Sequence, residues 1–271
     1  MAHKGLLVDW GGVLTTDVFA SFDAFCAREG LPAGTVRDLF RSDPAARELL
    51  AGLEDGTLPD AEFEARFAGL IGVGAGDLIA RLMGGAGADA DMLAFVRAAR
   101  AAGVRTGLVS NSWGVDRYDR ALLGELFDGV VISGEVGLRK PAPEIYVLGA
   151  EAVGLAPSEC VYVDDLPGNL KPARALGMTT VHHRDAATTI AALRPLLGLP
   201  ALSPPAPDPP TPDPPTPDPP TPDQPVPDQP VPDQPVPDQP VPGQPVPGPP
   251  TPGRPALDPP ALEPPALGLR A

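Results

Sequence analysis

Four kinds of side chain with chemical potential, Asp, Ser, Asn and Lys, stand at or near the ends of short apolar runs. Asp9 closes the run GLLVD (5–9) and is followed by Gly11 and Gly12. A carboxylate in that place can attack phosphorus or carbon and form a covalent aspartyl intermediate. The two glycines let the main chain turn tightly, so that amides and carbonyls face the same space. Taken alone, Asp9 reads equally well as the cap of a turn. Ser110 and Asn111 end VRTGLVSNS (104–112). They are hydrogen-bonding groups suited to a phosphoryl oxygen, or a second turn cap. Lys140 sits in GLRKPAPEIY, where Pro141 imposes an extended approach to the next helix. Its ammonium, if brought among carboxylates, would orient a nucleophile and neutralise developing negative charge; otherwise it is a surface lysine. Asp164 and Asp165 end ECVYVDD (159–165). With Asp9 they supply hard oxygen ligands of the kind Mg²⁺ takes.

These residues need elements to carry them, and the apolar periodicity provides a regular series. Strand-like runs lie at 5–9, 104–112, 130–133, 159–165 and 179–183. Helical patterns lie between them, at 89–102, 115–127, 143–154 and 169–177. Gly103 and Gly154 are helix stops, and Pro143 is a helix start. Alternation of this kind predicts a mostly parallel sheet with helices on both faces. Ligands in such sheets bind beyond the carboxyl ends of the strands, where Asp9, Ser110, Asn111, Asp164 and Asp165 fall. An excess of carboxylates there is costly unless a cation neutralises it. Residues 17–87 read as helices broken by Gly and Pro, a small module inserted after the first strand. Within it Phe63, Phe67 and Leu70 fall on one predicted apolar face.

The composition changes near residue 200. Of the 40 prolines, 30 lie in 201–271, where PDPPT and then PDQPV recur with a period of five. The tail has no aromatic residue and few large apolar ones, so it cannot build a core. It reads as a disordered, extended spacer, or as a ligand for a proline-recognition partner. The net charge of −15 divides into −7 for the tail and −8 for residues 1–200. That balance argues against nucleic acid as the main partner while leaving room for a small phosphorylated substrate beside a bound cation. Cys26 and Cys160 fit no metal-ligand spacing and no disulfide framework, and Cys160, which directly precedes an apolar run, reads as a buried thiol. His182 and His183 lack ligand partners nearby and are not read as a metal site. The residues after Met1 run directly into a short strand, too short for a signal or membrane segment, which predicts a soluble cytoplasmic protein.

The motifs LLVDWGGVLT (6–15), LVSNS (108–112), LRKPAPEIY (138–146) and VYVDDLPGNLKPARALGM (161–178) together resemble the haloacid dehalogenase (HAD) superfamily of hydrolases. The resemblance is to the group whose helical cap follows the first strand and whose first motif has the form DxGGV. It covers roughly 1–199. It implies a Rossmann-like α/β core from 1–16 and 88–199, an all-helical cap at 17–87, and a low-complexity tail from 200 to 271 outside the match. By the same resemblance Asp9 is the nucleophile and a Mg²⁺ ligand, with the Gly11 carbonyl as a second ligand. Asp165 binds the metal, and Asp164 is a ligand or the partner of Lys140. Ser110, helped by Asn111, holds the phosphoryl group, and Lys140 bridges Asp9 and phosphate. Asn169 shapes the loop after the acidic pair, and Gly12 supports the first turn. Trp10 reads as a shelf for the cap or substrate, or as packing, and Trp113 and Tyr118 are candidates to line the cap interface.

The sequence departs from the family's phosphatases in one place. They carry a second Asp two residues after the nucleophile, which protonates the leaving group and activates water, and here that position is Gly11. Asp17 is a possible substitute acid. The implied function is Mg²⁺-dependent hydrolysis of a small phosphate monoester through an aspartyl phosphate. Two alternatives stand beside it: carbon–halogen hydrolysis, whose leaving group needs no proton, and a non-catalytic phospho-ligand-binding or scaffold protein that uses the tail. For the halide reaction the cap would have to supply an arginine clamp, and Arg28, Arg37 and Arg41 are the arginines considered for it.

Overall fold

The computed structural model describes residues 2–200. The tail, the disorder expected of it and its proline-recognition partner lie outside the described residues. The chain opens with β1 (Gly5–Val8) and continues through five helices, α1 (Val18–Glu29), α2 (Thr35–Ser42), α3 (Pro44–Glu54), α4 (Asp60–Ile71) and α5 (Leu78–Met83). It then alternates: α6 (Ala90–Ala101), β2 (Arg105–Ser110), α7 (Arg120–Leu126), β3 (Gly129–Ile132), the short α8 (Ser133–Val136), α9 (Pro143–Ala152), β4 (Cys160–Asp164), α10 (Pro167–Ala175), β5 (Thr179–His182) and α11 (Ala186–Leu196).

All strand pairs are parallel, and the spatial order is β3-β2-β1-β4-β5. Alternate residues of the central strands feed two cores. Leu6, Val8, Leu108, Val161 and Val163 join one apolar cluster with α6, α7 and α11. Leu7, Val109 and Tyr162 join another with α9 and α10. The sheet is thus covered on both faces, and its middle strands are apolar on both sides, as parallel strands must be. Strand order reverses across β1 and β4, which opens a crevice at their carboxyl ends.

Helices α1–α5 leave and rejoin the sheet at one stem. Thr15 bridges Ala88, and the Thr16 N–H donates to the Gly87 carbonyl at 2.7 Å. They pack around their own cluster of Phe22, Phe25, Phe63, Phe67, Leu78 and Ile79. Asp17, Asp43, Asp89, Asp119 and Asp185 cap α1, α3, α6, α7 and α11 by accepting N–H groups of their first turns. Part of the chain's acidity is therefore engaged in helix starts, each worth about 1 kcal/mol. Among these helices one facing differs from the sequence expectation. Phe63 and Phe67 are buried, but Leu70 is 45 % exposed, and Ile71 continues the face instead. Residues 70 and 71 flank the stripe through 63 and 67, three and four positions after Phe67, and packing buries Ile71 and leaves Leu70 in solvent.

Phe67 is fully buried and stacks on Phe40 and Phe63 at centroid distances of 4.7 and 5.4 Å. Phe67→Ala is expected to cost about 3–5 kcal/mol, measured by chemical denaturation. A loss below about 1 kcal/mol would mean the helical cluster is not a packed core.

Candidate active site

Parallel pairing sets the neighbours of Asp9. Val8 pairs with Leu108 on one side and with Val163 on the other, and the Asp9 N–H donates to the Val163 carbonyl. The first side chain past β1 therefore stands between the ends of β2 and β4, where Ser110, Asp164 and Asp165 lie. Lys140 reaches the same point from the loop between α8 and α9. Its Nζ is 2.7 Å from Asp9 Oδ1 and 2.8 Å from Asp164 Oδ2. The ammonium is 1 % exposed and Asp164 is fully enclosed. The Lys140–Pro141 bond is cis.

Asp164 has no free oxygen. Oδ1 accepts from the Leu166 N–H at 2.8 Å and from Asn169 Nδ2 at 3.0 Å, while Oδ2 accepts from Lys140 and from the Tyr162 hydroxyl. Asp9 differs. Both the Trp10 N–H and Lys140 Nζ go to its Oδ1, and among the described residues Oδ2 has no protein partner. Asp165, half-buried, has no ion-pair partner among them either. Carboxylate oxygens of Asp9, Asp164 and Asp165 lie within 4.8 Å of one another, a candidate metal-binding cluster.

The charges bear this out. Burial, reinforced by Asp164 and Asp165 and opposed by Lys140, pushes the Asp9 carboxyl up to about 7. Burial and the adjacent Asp164 raise Asp165 to about 6. Burial alone would lower the Lys140 ammonium, but Asp164 and Asp9 outweigh it and hold it above its ordinary value. Three carboxylates face one ammonium, so the cluster is short of positive charge. Gly12 is what allows Asp165 to approach. Its φ is +71°, and a Cβ there would lie 2.5 Å from Asp165 Oδ2.

A family model for haloacid dehalogenase-like hydrolases matches residues 3–177, more than half of the chain. The chain belongs to this family. Bifunctional epoxide hydrolase 2 of Rattus norvegicus is 32 % identical over 129 residues, which cover 45 % of this chain and 23 % of that protein. Glyceraldehyde 3-phosphate phosphatase of Methanopyrus kandleri is 33 % identical over 98 residues, 35 % of this chain and 42 % of the phosphatase. The matched segments thus span less than half of either relative. Among solved structures, a HAD-like family hydrolase of Porphyromonas gingivalis superposes with a TM-score of 0.56 at 24 % identity, covering 73 % of this chain and 98 % of that one, a likeness of fold.

In this HAD-like hydrolase the remaining sequence-derived candidates divide. Ser110 ends β2 beside β1, the Asn111 side chain is bonded to the Lys140 main chain and to Glu54, and Asn169 is bonded to Asp164. Gly11 lies next to Asp9 with one near neighbour: a Cβ there would meet only Val18 Cγ2, at 3.3 Å. Asp17 is exposed, caps α1, and adds to the charge that raises Asp165. Of the cap arginines, Arg28 donates to the Arg81 carbonyl and Arg37 lies 3.7 Å from Asp38. The two histidines after β4 meet the acidic pair through its main chain: His182 Nε2 lies 2.9 Å from the Asp165 carbonyl, and the N–H of buried His183, whose ring bonds Thr189, donates to the Asp164 carbonyl. Both cysteines are buried, and burial raises Cys160 to about 11. Among the described residues no helix is long and apolar enough to cross a membrane.

Two contributors gave weak sequence signals. The Tyr118 hydroxyl is 2.9 Å from Ser110 Oγ, and its ring meets Trp10 edge-on at 5.8 Å. Burial pushes this phenol up to about 12. Trp113 turns the other way, into Phe22, Phe40 and Phe63 of the helical cluster. The sequence placed both aromatics near an interface but had no means to separate their partners. Glu54, on α3, was not singled out at all. It is buried against Asn111 and Arg139.

A divalent cation must compete with protons on Asp9 and Asp165. Their folded-state values lie above the ordinary carboxylate range, so without a cation the fold gains stability as pH falls through about 7 and 6. Millimolar Mg²⁺ is therefore expected to raise Tm by several degrees near pH 8, and the increment should shrink through that window and vanish near pH 5. Thermal melts with Mg²⁺ and with chelator check this. An increment independent of pH would place the cation elsewhere.

Proposed function

We propose that the protein hydrolyses small phosphate monoesters with Mg²⁺, through an aspartyl phosphate on Asp9. The observation that carries this reading is Lys140 bridging Asp9 and Asp164 beside an otherwise uncompensated Asp165. Asp9 Oδ2 is the nucleophilic atom, since Oδ1 is held by Lys140 and the Trp10 N–H. It attacks phosphorus, the bond to the leaving oxygen breaks, and that oxygen departs with the electron pair. Water then attacks the phosphorus of the aspartyl phosphate, the bond from phosphorus to Asp9 Oδ2 breaks, and the proton lost by the water passes to the departed leaving oxygen, giving inorganic phosphate and free Asp9. Lys140 keeps the nucleophile oriented and offsets charge gathering on the phosphoryl oxygens. Ser110, helped by the Asn111 main-chain N–H, holds the phosphoryl group; the Asn111 side chain is engaged by Lys140 and Glu54. The Tyr118 hydroxyl can donate to Ser110 Oγ, leaving the serine proton for the substrate.

Asp9, the Gly11 carbonyl and Asp165 are the proposed metal ligands. With both oxygens taken, Asp164 is assigned to Lys140 rather than to the metal. Bound Mg²⁺ would supply a positive charge that polarises the phosphoryl group. Helices α1–α5 are proposed to act as a cap that shields small substrates from water.

Gly11 shapes the chemistry. No side chain at that position can protonate the leaving oxygen, a contribution commonly worth about 10²–10⁴-fold. The proposed substrates are therefore those whose leaving group departs readily, such as acyl phosphates or anomeric sugar phosphates. Asp17, at the start of α1, is the proposed substitute acid for poorer leaving groups. The name of the Methanopyrus kandleri relative agrees with phosphate-ester chemistry. A carbon–halogen reaction is less well supported, because among the described residues the cluster carboxylates pair with Lys140 and with none of Arg28, Arg37 and Arg41.

The deciding assay is phosphate release from a panel of phosphomonoesters, with Mg²⁺ and with chelator, for the parent protein and Asp9→Asn. Mg²⁺-dependent release that falls by roughly 10³-fold or more in Asp9→Asn is expected. No release above Asp9→Asn across the panel would sink the phosphatase reading. Gly11→Asp supplies the absent acid, and its Cβ would meet only Val18 Cγ2, at 3.3 Å. It is expected to raise turnover of alkyl phosphates by roughly 10²-fold while changing that of acyl phosphates little. Equal effects on both classes would show that leaving-group protonation is not what Gly11 limits.

A further inference from the structure

Glu54 ends α3, on the helical insertion, yet its side chain belongs to the loops around Lys140. It is 7 % exposed. Its Oε2 accepts from Arg139 Nε at 2.8 Å and from Asn111 Nδ2 at 3.0 Å. Asn111 in turn grips the main chain of Lys140 from both sides. Its Oδ1 accepts the Lys140 N–H at 2.8 Å, and its Nδ2 donates to the Lys140 carbonyl at 3.2 Å. The same lysine carries the ammonium that spans Asp9 and Asp164.

The contact is built on main-chain atoms as well. The Ser133 hydroxyl donates to the Glu54 carbonyl and accepts the Ser112 N–H at 2.8 Å. Gly56 comes down on the Gly134 main chain so closely that a Cβ would lie 2.6 Å from its carbonyl oxygen. The insertion thus seats a short segment, 54–56, into a socket made by the residues after β2 and β3.

A carboxylate is a poor choice for simple adhesion there. Desolvating it costs several kcal/mol, and an apolar residue of similar volume would hold the surfaces together at least as well. What a carboxylate adds is direction: it fixes which way the Asn111 amide faces, with Nδ2 toward Glu54 and Oδ1 toward the Lys140 N–H.

We propose that Glu54 is a positioning residue carried by the helical insertion, which locks the Asn111 amide and through it sets the Lys140 main chain so that its ammonium reaches both Asp9 and Asp164. The catalytic consequence rests on the phosphoryl-transfer reading; the positioning itself does not. Docking of the insertion and assembly of the lysine bridge are then one event. A substrate that keeps the insertion seated also keeps Lys140 in place.

The test compares Glu54→Ala, Glu54→Leu and Glu54→Gln by amide hydrogen exchange resolved at Lys140, together with kcat and KM for phosphate release. Loss of the acceptor in Glu54→Ala and Glu54→Leu is expected to speed exchange of the Lys140 amide by about tenfold or more while the amides of β1 and β4 exchange as in the parent. Glu54→Gln retains an acceptor oxygen and is expected to restore most of the protection. In the assay kcat should fall by about tenfold in the alanine and leucine variants with KM nearly unchanged. Parental protection of Lys140 in both Glu54→Ala and Glu54→Leu overturns the proposal, as does faster exchange spread evenly over β1 and β4. The leucine variant covers the case in which the alanine variant does not fold. Exchange needs no substrate, so a parent protein without phosphatase activity would count against the proposed reaction and leave this test intact.

Discussion

The ammonium of Lys140 holds apart and together what would otherwise repel. Asp9, Asp164 and Asp165 leave the ends of two adjacent parallel strands, so their proximity follows from the pairing of β1 with β4. Uncompensated carboxylates at that spacing, out of water, would open the sheet edge. One buried lysine between Asp9 and Asp164 is the described counter-charge, and removing a partner from such a pair typically costs about 3–5 kcal/mol. Much of the local structure serves that lysine. Tyr162, the Leu166 N–H and Asn169 join Lys140 as hydrogen-bond donors to Asp164.

The surplus negative charge that remains sits on Asp9 Oδ2 and Asp165. The two adjacent acids at the end of β4 therefore have opposite fates. Asp164 turns inward and is saturated; Asp165 turns toward Gly12, whose missing Cβ gives it room. A strand terminus can divide neighbouring side chains this way because alternate residues face opposite sides. The division leaves Asp164 bonded to the lysine and Asp165 without an ion-pair partner among the described residues.

Much of this was legible before any coordinates. The alternation of strand and helix patterns anticipated the parallel sheet, and the positions of Asp9, Ser110 and Asp164 at strand ends anticipated their meeting. Those inferences work because periodicity and strand-end placement are properties of neighbouring residues. Other features were out of reach. Leu70 was assigned to the wrong side of α4, since Leu70 and Ile71 differ by one step and only packing selects between them. Tyr118 and Trp113 stood near one another in sequence, yet one bonds Ser110 and the other enters the Phe22 cluster.

By itself the sequence determined the fold class, the acids at the strand ends and the absence of an acid at position 11, because each depends on residue type and local spacing. Tertiary structure alone decided the rest. Lys140 meets Asp9 across 131 positions of chain, and Glu54 meets Asn111 across 57. Which carboxylate pairs with the ammonium, and which stays without a partner, depends on desolvation and hydrogen-bond geometry. These arise only when distant segments pack together and exclude water.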